Sequence, residues 1–200
     1  MEFSWQNTSD MSDYVVPQNQ IIFYTIGEWA LGYVVICKKA EIICSISIGK
    51  TKAEALAKLN SIWQWKERKE ADKGSMADDL KQVIAHLNDP RQSHGLDLVL
   101  EDLEGTDFFK SVWRAVLEIP FGKTETYTEL AIRMGLSAKT NRAVALAIAA
   151  NRLAVVIPCH RVRRADGSLA GYRWGVDLKR ALLEREQGLE PYKQPEWTLF

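Results

Sequence analysis

TYTELAIRMGLSAKTNRAVALAIAAN, residues 126–151, carries two helix starts and one stop. Thr126-Tyr-Thr-Glu129 has the form of a capping box, in which the threonine hydroxyl and the glutamate carboxylate satisfy each other's backbone amides. It predicts a short helix through Met134, closed by Gly135 in a left-handed cap. Ser137 is placed to cap a second helix, Ala138 to about Ala150. Helix, glycine turn and helix within about 25 residues is the length of a helix-turn-helix. Alone, such a unit is more often packing than a DNA-binding device. The second helix is unusual in its small side chains, with Arg142 its only charge after Lys139. It is either a buried alanine-rich helix with one snorkelling arginine or a helix made for close approach to another surface.

Downstream, Val155-Val156-Ile157 is an apolar, strand-like run, and Pro158 biases Ile157 to an extended conformation. Cys159 and His160 follow on a stiff loop. Asp166-Gly167 predicts a tight hairpin between 161–165 and 168–172. Asp177 is the expected cap of a last helix with Leu178, Ala181, Leu182 and Leu183 apolar, ended by Gly188. Upstream, Phe108, Phe109, Val112, Trp113, Val116 and Leu117 form a broad helical stripe broken at Pro120-Phe121-Gly122. Earlier still, Ile21–Ile26, Tyr33–Cys37 and Ile42–Ile48 are β-rich runs that suit an antiparallel meander. Thr51-Lys-Ala-Glu54 is a further capping box. Its helix ends in the charged run 66–73, a second helix starts at Ser75 and stops at Asp89-Pro90, and Leu96–Leu100 is one more strand. Residues 1–20 have the composition of a polar arm and 191–200 of a tail.

The 200 residues are 46% apolar and carry no formal net charge. The distribution is uneven. Residues 1–103 hold eleven Lys/Arg against fifteen Asp/Glu, and residues 104–190 hold fourteen against ten. Between Arg152 and Arg185 there are eight basic and three acidic residues, an excess that suits a phosphate backbone. Three cysteines, Cys37, Cys44 and Cys159, argue against a disulfide framework and for a reducing compartment. No apolar run is long enough to span a membrane, and the start of the chain lacks the pattern of a secretory signal. No zinc-type ligand spacing and no glycine-rich nucleotide loop is present, so neither a metal nor a cofactor is expected.

A thiolate is a soft nucleophile, and a cationic or hydrogen-bonding neighbour lowers its pKa. Cys159 and His160 are adjacent in the chain, so their side chains diverge on an extended backbone. His160 is then expected to act on the thiol through a water. A carboxylate must orient the imidazole, and Glu184 and Glu186 are the nearest candidates.

Ile157-Pro158-Cys159-His160-Arg161-Val162 resembles the active-site signature of the O6-alkylguanine-DNA alkyltransferases. The likeness extends through Thr126–Ala131, Asn141-Arg142-Ala143-Val144, Ala150-Asn151, Gly171-Tyr172-Arg173-Trp174-Gly175 and Leu182–Glu186, and it most resembles the bacterial members. It is strong from about residue 104 to 188 and weak before that. The resemblance implies an α+β protein: an RNase H-like mixed sheet with helices over 21–103, and a helix-turn-helix DNA-binding domain with the active-site loop over 104–190. It implies that Cys159 accepts the alkyl group from O6 of guanine, once and irreversibly, in duplex DNA approached from the minor groove. In that scheme Glu186 orients His160, and Tyr127 presses on the phosphate and assists proton transfer to the leaving guanine. Arg142 fills the gap left by the flipped base, with Ala143 and Ala147 beside it on the DNA face. Asn151 holds the turn into the active-site loop, Tyr172 lines the guanine pocket, and Arg173 is its rim. Trp174 narrows the pocket, so methyl lesions are favoured over benzyl-sized ones. A monomer, cytoplasmic in a bacterium or nuclear in a eukaryote, is implied.

Three other classes are weaker. Non-catalytic alkyltransferase-like sensors carry Trp where Cys159 stands. A transcription regulator needs polar side chains to read base edges, and the alanine-rich helix has few. A cysteine hydrolase would need a second His or Asn motif and an oxyanion loop.

Overall fold

The computed structural model describes residues 21–72, 74–91, 103–169 and 171–188. The arm, the Leu96–Leu100 strand and the tail expected from the sequence lie outside these residues.

Strands β1 (Ile22–Trp29), β2 (Gly32–Lys39) and β3 (Ile42–Gly49) form the antiparallel meander anticipated above. β2 lies inside the sheet, and its Val34-Val-Ile-Cys37 run is wholly buried. Val34 and Ile36 enter one apolar cluster, Val35 and Cys37 the other, as alternation requires of a strand covered on both faces. Helix α1 (Lys52–Ile62) packs its Ala55 and Leu59 into the second cluster, and α2 (Ala77–Asn88) packs Val83 and Leu87 into the first. Thr51 caps α1 at the Glu54 amide as expected, but the Glu54 carboxylate turns back to the Lys50 amide instead of closing the box.

Two expectations fail here. The charged run after α1 does not extend the helix: Arg68–Glu70 forms β4, parallel to β1, giving the order β3-β2-β1-β4. Its side chains carry no apolar alternation, so only backbone pairing defines it. Ser75 does not cap α2, because its hydroxyl donates to the Asp72 carbonyl and the helix begins at Ala77.

The second half is helical. α3 (Asp107–Leu117) buries Val112, Trp113, Ala115 and Val116, and the Trp113 indole donates to the Ala147 carbonyl at 2.8 Å. The two-residue β5 (Glu125–Thr126) leads into α4 (Tyr127–Arg133), whose capping box at Thr126 and Glu129 is complete and whose end is the left-handed Gly135. Ser137 caps a 3₁₀ turn, Ala138–Thr140, so the following α-helix, α5 (Asn141–Ala149), begins three residues later than the pattern implied. Residues 155–157 are not a strand: Val155 has φ +67°. Asp166-Gly167 turns the chain, with the Arg164 amide donating to the Ser168 carbonyl, yet no hairpin ladder follows among the described residues. Val162–Arg163, β6, pairs parallel with β5 instead. In α6 (Val176–Glu186) the cap is Gly175, at φ +105°, and Asp177 pairs with Lys50 at 2.8 Å.

One apolar core runs through both halves and includes Ile46, Ile48, Val112, Leu153 and Trp174. The backbone of Ile46 on β3 bonds the Arg152 carbonyl and the Ala154 amide, so the sheet edge continues into the segment that follows α5.

Gly49 marks a tight join between sheet and helix. A Cβ there would sit 2.6 Å from the Ala55 amide nitrogen and 2.8 Å from Glu54 Cβ. Gly49→Ala should therefore lower stability by about 1–3 kcal/mol through overpacking, read as a lower urea midpoint; an unchanged midpoint would show that α1 shifts freely.

Candidate active site

The segment from Asn151 to Arg161 crosses from the end of α5 to the buried thiol by tight turns. Val156 bonds Ala154, and Cys159 bonds Ile157, each across two residues, and Val155 takes the left-handed conformation that a β-branched residue rarely adopts. Asn151 over-determines this path. Its side-chain oxygen accepts from the Leu153 amide at 2.8 Å, and its side-chain nitrogen lies within 3.3 Å of the Leu153 and Ile157 carbonyls and 3.2 Å from Cys159 Sγ.

Cys159, 5% exposed, opens a 3₁₀ turn with His160 and Arg161. Burial pushes its thiol up to about 11, against the Asn151 hydrogen bond and the Lys179 charge, which favour the thiolate. The expected depression of the pKa by a neighbouring histidine is therefore not the resting state: desolvation outweighs it, and the thiol is protonated at neutral pH.

His160 is fully buried. Its Nε2 meets Glu186 Oε1 at 2.7 Å, while Nδ1 has no hydrogen-bond partner among the described residues. Burial lowers the His160 pKa more than Glu186 raises it, so the ring is neutral. Beside a carboxylate the proton must sit on Nε2, which leaves Nδ1 a bare acceptor. Of the two candidate carboxylates, Glu186 is the partner.

Glu186 also accepts from Arg161 Nε at 2.9 Å and Nη2 at 2.9 Å, and from the Gly122 amide at 3.1 Å. Burial pushes the Glu186 carboxyl up, but the hydrogen bonds from His160 and Arg161 overcome it and hold the pKa at about 2. Arg161 continues to the Ile119 carbonyl at 2.7 Å. The cluster thus ties α6, the Cys159 turn and the loop after α3 together.

Tyr172 is 9% exposed and packs edge-on against Trp174 at 5.2 Å between centroids. Burial, then the nearby Cys159 and Glu186, keeps its phenol un-ionised. Tyr127, first residue of α4, is half-buried, and burial and Cys159 likewise raise its pKa. Arg173 donates to the Ala149 carbonyl at 2.6 Å, at the end of α5. Arg142 and Ala143 are exposed on α5, but Ala147, expected beside them, is buried: its carbonyl receives Trp113 and its side chain faces the core. The DNA face expected of α5 therefore excludes Ala147.

Two residues had no role assigned from sequence. Arg161 lay inside the quoted signature without a function. Lys179, 1% exposed, donates from Nζ to the Val162 carbonyl at 2.6 Å and lies 5.9 Å from the Tyr172 ring centroid. Its spacing offered a signal, since Lys179, Leu183 and Glu186 share a face that a wholly solvated helix side would not bury. Among the described residues no group of His, Cys, Asp or Glu could hold a metal, and no helix is long and apolar enough to cross a membrane.

Acid should unfold this site first. His160 is held below its ordinary 6.5 and Glu186 below its ordinary 4.5, so the unfolded chain binds more protons than the folded one as pH falls. Stability present near neutrality should decline below pH about 6.5 and fall faster from about 4.5 toward 2, with Glu186 alone contributing about 3 kcal/mol of the loss. Glu186→Gln should cost about 3–5 kcal/mol at pH 7, by stranding the buried Arg161 charge, and flatten the steep acid limb in urea titrations at graded pH.

Residues 107–188 match the family model described as 6-O-methylguanine DNA methyltransferase, DNA binding domain. The bifunctional transcriptional activator/DNA repair enzyme Ada of Escherichia coli is 40% identical over 169 residues, 84% of this chain and 46% of Ada, so the chain spans about half that protein's length. A methylated-DNA–protein-cysteine methyltransferase of Mycobacterium tuberculosis is 41% identical over 129 residues, 64% of this chain and 74% of the relative. The crystal structure of M. tuberculosis OGT in complex with DNA superposes with a TM-score of 0.64 at 30% identity, covering 84% of this chain and 95% of that one. The mixed α/β architecture, a small sheet with helices, is shared with the M. tuberculosis structure. The chain belongs to the methylated-DNA–protein-cysteine methyltransferase family.

Proposed function

We propose that the protein repairs alkylated duplex DNA by transferring the alkyl group from O6 of guanine to Cys159, once per molecule. The observation that carries this reading is the buried Asn151–Cys159 and His160–Glu186 arrangement: a neutral thiol beside a neutral imidazole whose one bare nitrogen can take a proton.

The step balances without a cofactor. Cys159 Sγ attacks the alkyl carbon, the S–C bond forms and the C–O6 bond breaks. The thiol proton passes through a water to His160 Nδ1, and the imidazolium is stabilised by the Glu186 carboxylate behind it. The departing guanine takes a proton from Tyr127, which is un-ionised, and the proton on His160 restores the phenol. The products are a thioether and guanine. Attack at a saturated carbon needs no oxyanion hole, and the thioether has no good leaving route, which makes the reaction stoichiometric.

O6 lies inside the base pair, so the nucleotide must leave the stack at a cost of a few kcal/mol. Arg142, on the exposed side of α5, offsets that cost by occupying the gap, and Ala143 lets the helix backbone come close to the minor groove. Tyr172 receives the flipped base, Trp174 braces it, and Arg173 stands at the rim. Asn151 keeps the thiol in register. We read residues 21–103 as RNase H-like, supported by the β3-β2-β1-β4 order with β4 parallel to β1, and residues 104–190 as a helix-turn-helix domain built on α4 and α5. The protein works as a monomer, and free thiols suit a cytoplasmic or nuclear setting.

Incubation with a duplex carrying O6-methylguanine should add the mass of one CH₂ to the peptide holding Cys159. Cys159→Ala should abolish transfer and leave duplex affinity within about twofold, since the exposed charges that contact phosphate are untouched. Transfer that survives the substitution, or mass appearing on Cys37 or Cys44, overturns the assignment. Trp174 against Tyr172 leaves little room for a large substituent, so free O6-benzylguanine should inactivate the protein slowly compared with methylated duplex. Equal rates would reject that constraint.

A further inference from the structure

α5 presents two different sides. Val144, Ala147 and Ile148 are buried, whereas Arg142, Ala143, Leu146 and Ala149 are exposed. At about 100° per residue, Arg142, Leu146 and Ala149 fall in one narrow stripe. Leu146 is 63% exposed, in the middle of that stripe, and is its only large apolar side chain. Arg142 lies one turn before it. One turn after it, the Arg173 guanidinium holds the Ala149 carbonyl at 2.6 Å. The stripe is therefore cationic at both ends and apolar at its centre, with alanines on either side.

We propose that Leu146 is a second groove-entering side chain, seated against the sugar and base edges of the minor groove one turn from Arg142. This rests on the alkyltransferase reading above. Three features support it. The flanking Ala143, Ala145 and Ala149 are short, so Leu146 projects beyond its neighbours and reaches a surface that the helix backbone approaches closely. The minor groove is about 6 Å wide, enough for one branched aliphatic chain, and leucine is among the wedges that minor-groove proteins use. The arginines put positive charge at the two ends of the stripe, which suits the negative potential of the groove, whereas its apolar centre matches the deoxyribose walls. Leu146 sets how well the duplex is held while the base is out. It takes no part in the chemistry at Cys159.

The test compares the full chain with Leu146→Ala. Burial of the exposed part of the three lost carbons, with Leu146 63% exposed in the free protein, predicts about a tenfold loss in duplex affinity and in the rate of transfer from duplex O6-methylguanine. The salt dependence of binding should keep its slope, because no charge is removed, whereas Arg142→Ala, which takes a cation out of the interface, should reduce that slope. Transfer from the free nucleoside O6-methyl-2′-deoxyguanosine should be unchanged in Leu146→Ala. Leu146 is mostly exposed, so the melting temperature should stay at the wild-type value. Trp65→Ala, which removes an 88% exposed side chain in the loop after α1, should change none of these. Wild-type affinity and duplex rate in Leu146→Ala overturn the inference while leaving transfer to Cys159 intact. Tighter binding also overturns it, by showing that the leucine obstructs the groove. Absence of any transfer to Cys159 in the wild-type protein would instead sink the reading on which it rests.

Discussion

Glu186 is a buried anion that three parts of the chain share. It takes hydrogen bonds from His160, from two nitrogens of Arg161 and from the Gly122 amide, and Arg161 reaches on to the Ile119 carbonyl. A carboxylate and a guanidinium removed from water each lose several kcal/mol of hydration. Only this full set of partners makes their burial tolerable. The same carboxylate dictates the histidine tautomer, which in turn decides that the nitrogen left bare is Nδ1. Local chemistry at the thiol is therefore set by an ion cluster whose members come from α6, the Cys159 turn and the loop that follows α3.

The path into that turn is held from the other side by Asn151 and by the sheet. The side chain of Asn151 bonds Leu153, Ile157 and Cys159, and the Ile46 backbone clamps Arg152 and Ala154. Val155 sits at φ +67° between these restraints, a conformation costing of order 1–3 kcal/mol that persists only where surroundings over-determine it. The first half of the chain thus contributes an edge strand to the segment that delivers the sulfur.

Burial and reactivity pull against each other at Cys159. The enclosed thiol is held neutral at about 11, and the enclosed imidazole is neutral as well. Neither group rests as an exposed ion, which protects the sulfur from oxidants that prefer thiolate. On the alkyl-transfer reading proposed above, proton transfer between the thiol and the imidazole is part of the reaction, and the buried positive charges of Lys179 and Arg161 are in place when the thiolate forms.

Much of the molecule was legible in the residue order. β-rich runs marked β1 to β3, the Thr126–Glu129 box marked α4 and Gly135 its end, because these signals are local and each is satisfied by its own few neighbours. The adjacency of Pro158, Cys159 and His160 drew attention to the candidate nucleophile for the same reason. What lay beyond the sequence was decided by partners distant along the chain. Arg68–Glu70 becomes a strand only because β1 offers it a free edge, and Val162–Arg163 joins β5 across 35 intervening residues. Gly175 replaces Asp177 as a cap once Lys50 claims the carboxylate. Ala147 faces inward because it shares the core-packed face of α5 with Val144 and Ile148. The roles of Arg161 and Lys179 and the direction of the Cys159 pKa shift depend on the dielectric and the donors that surround a group after folding. Burial is a property of the whole packed chain, so no local reading of the residues could assign it.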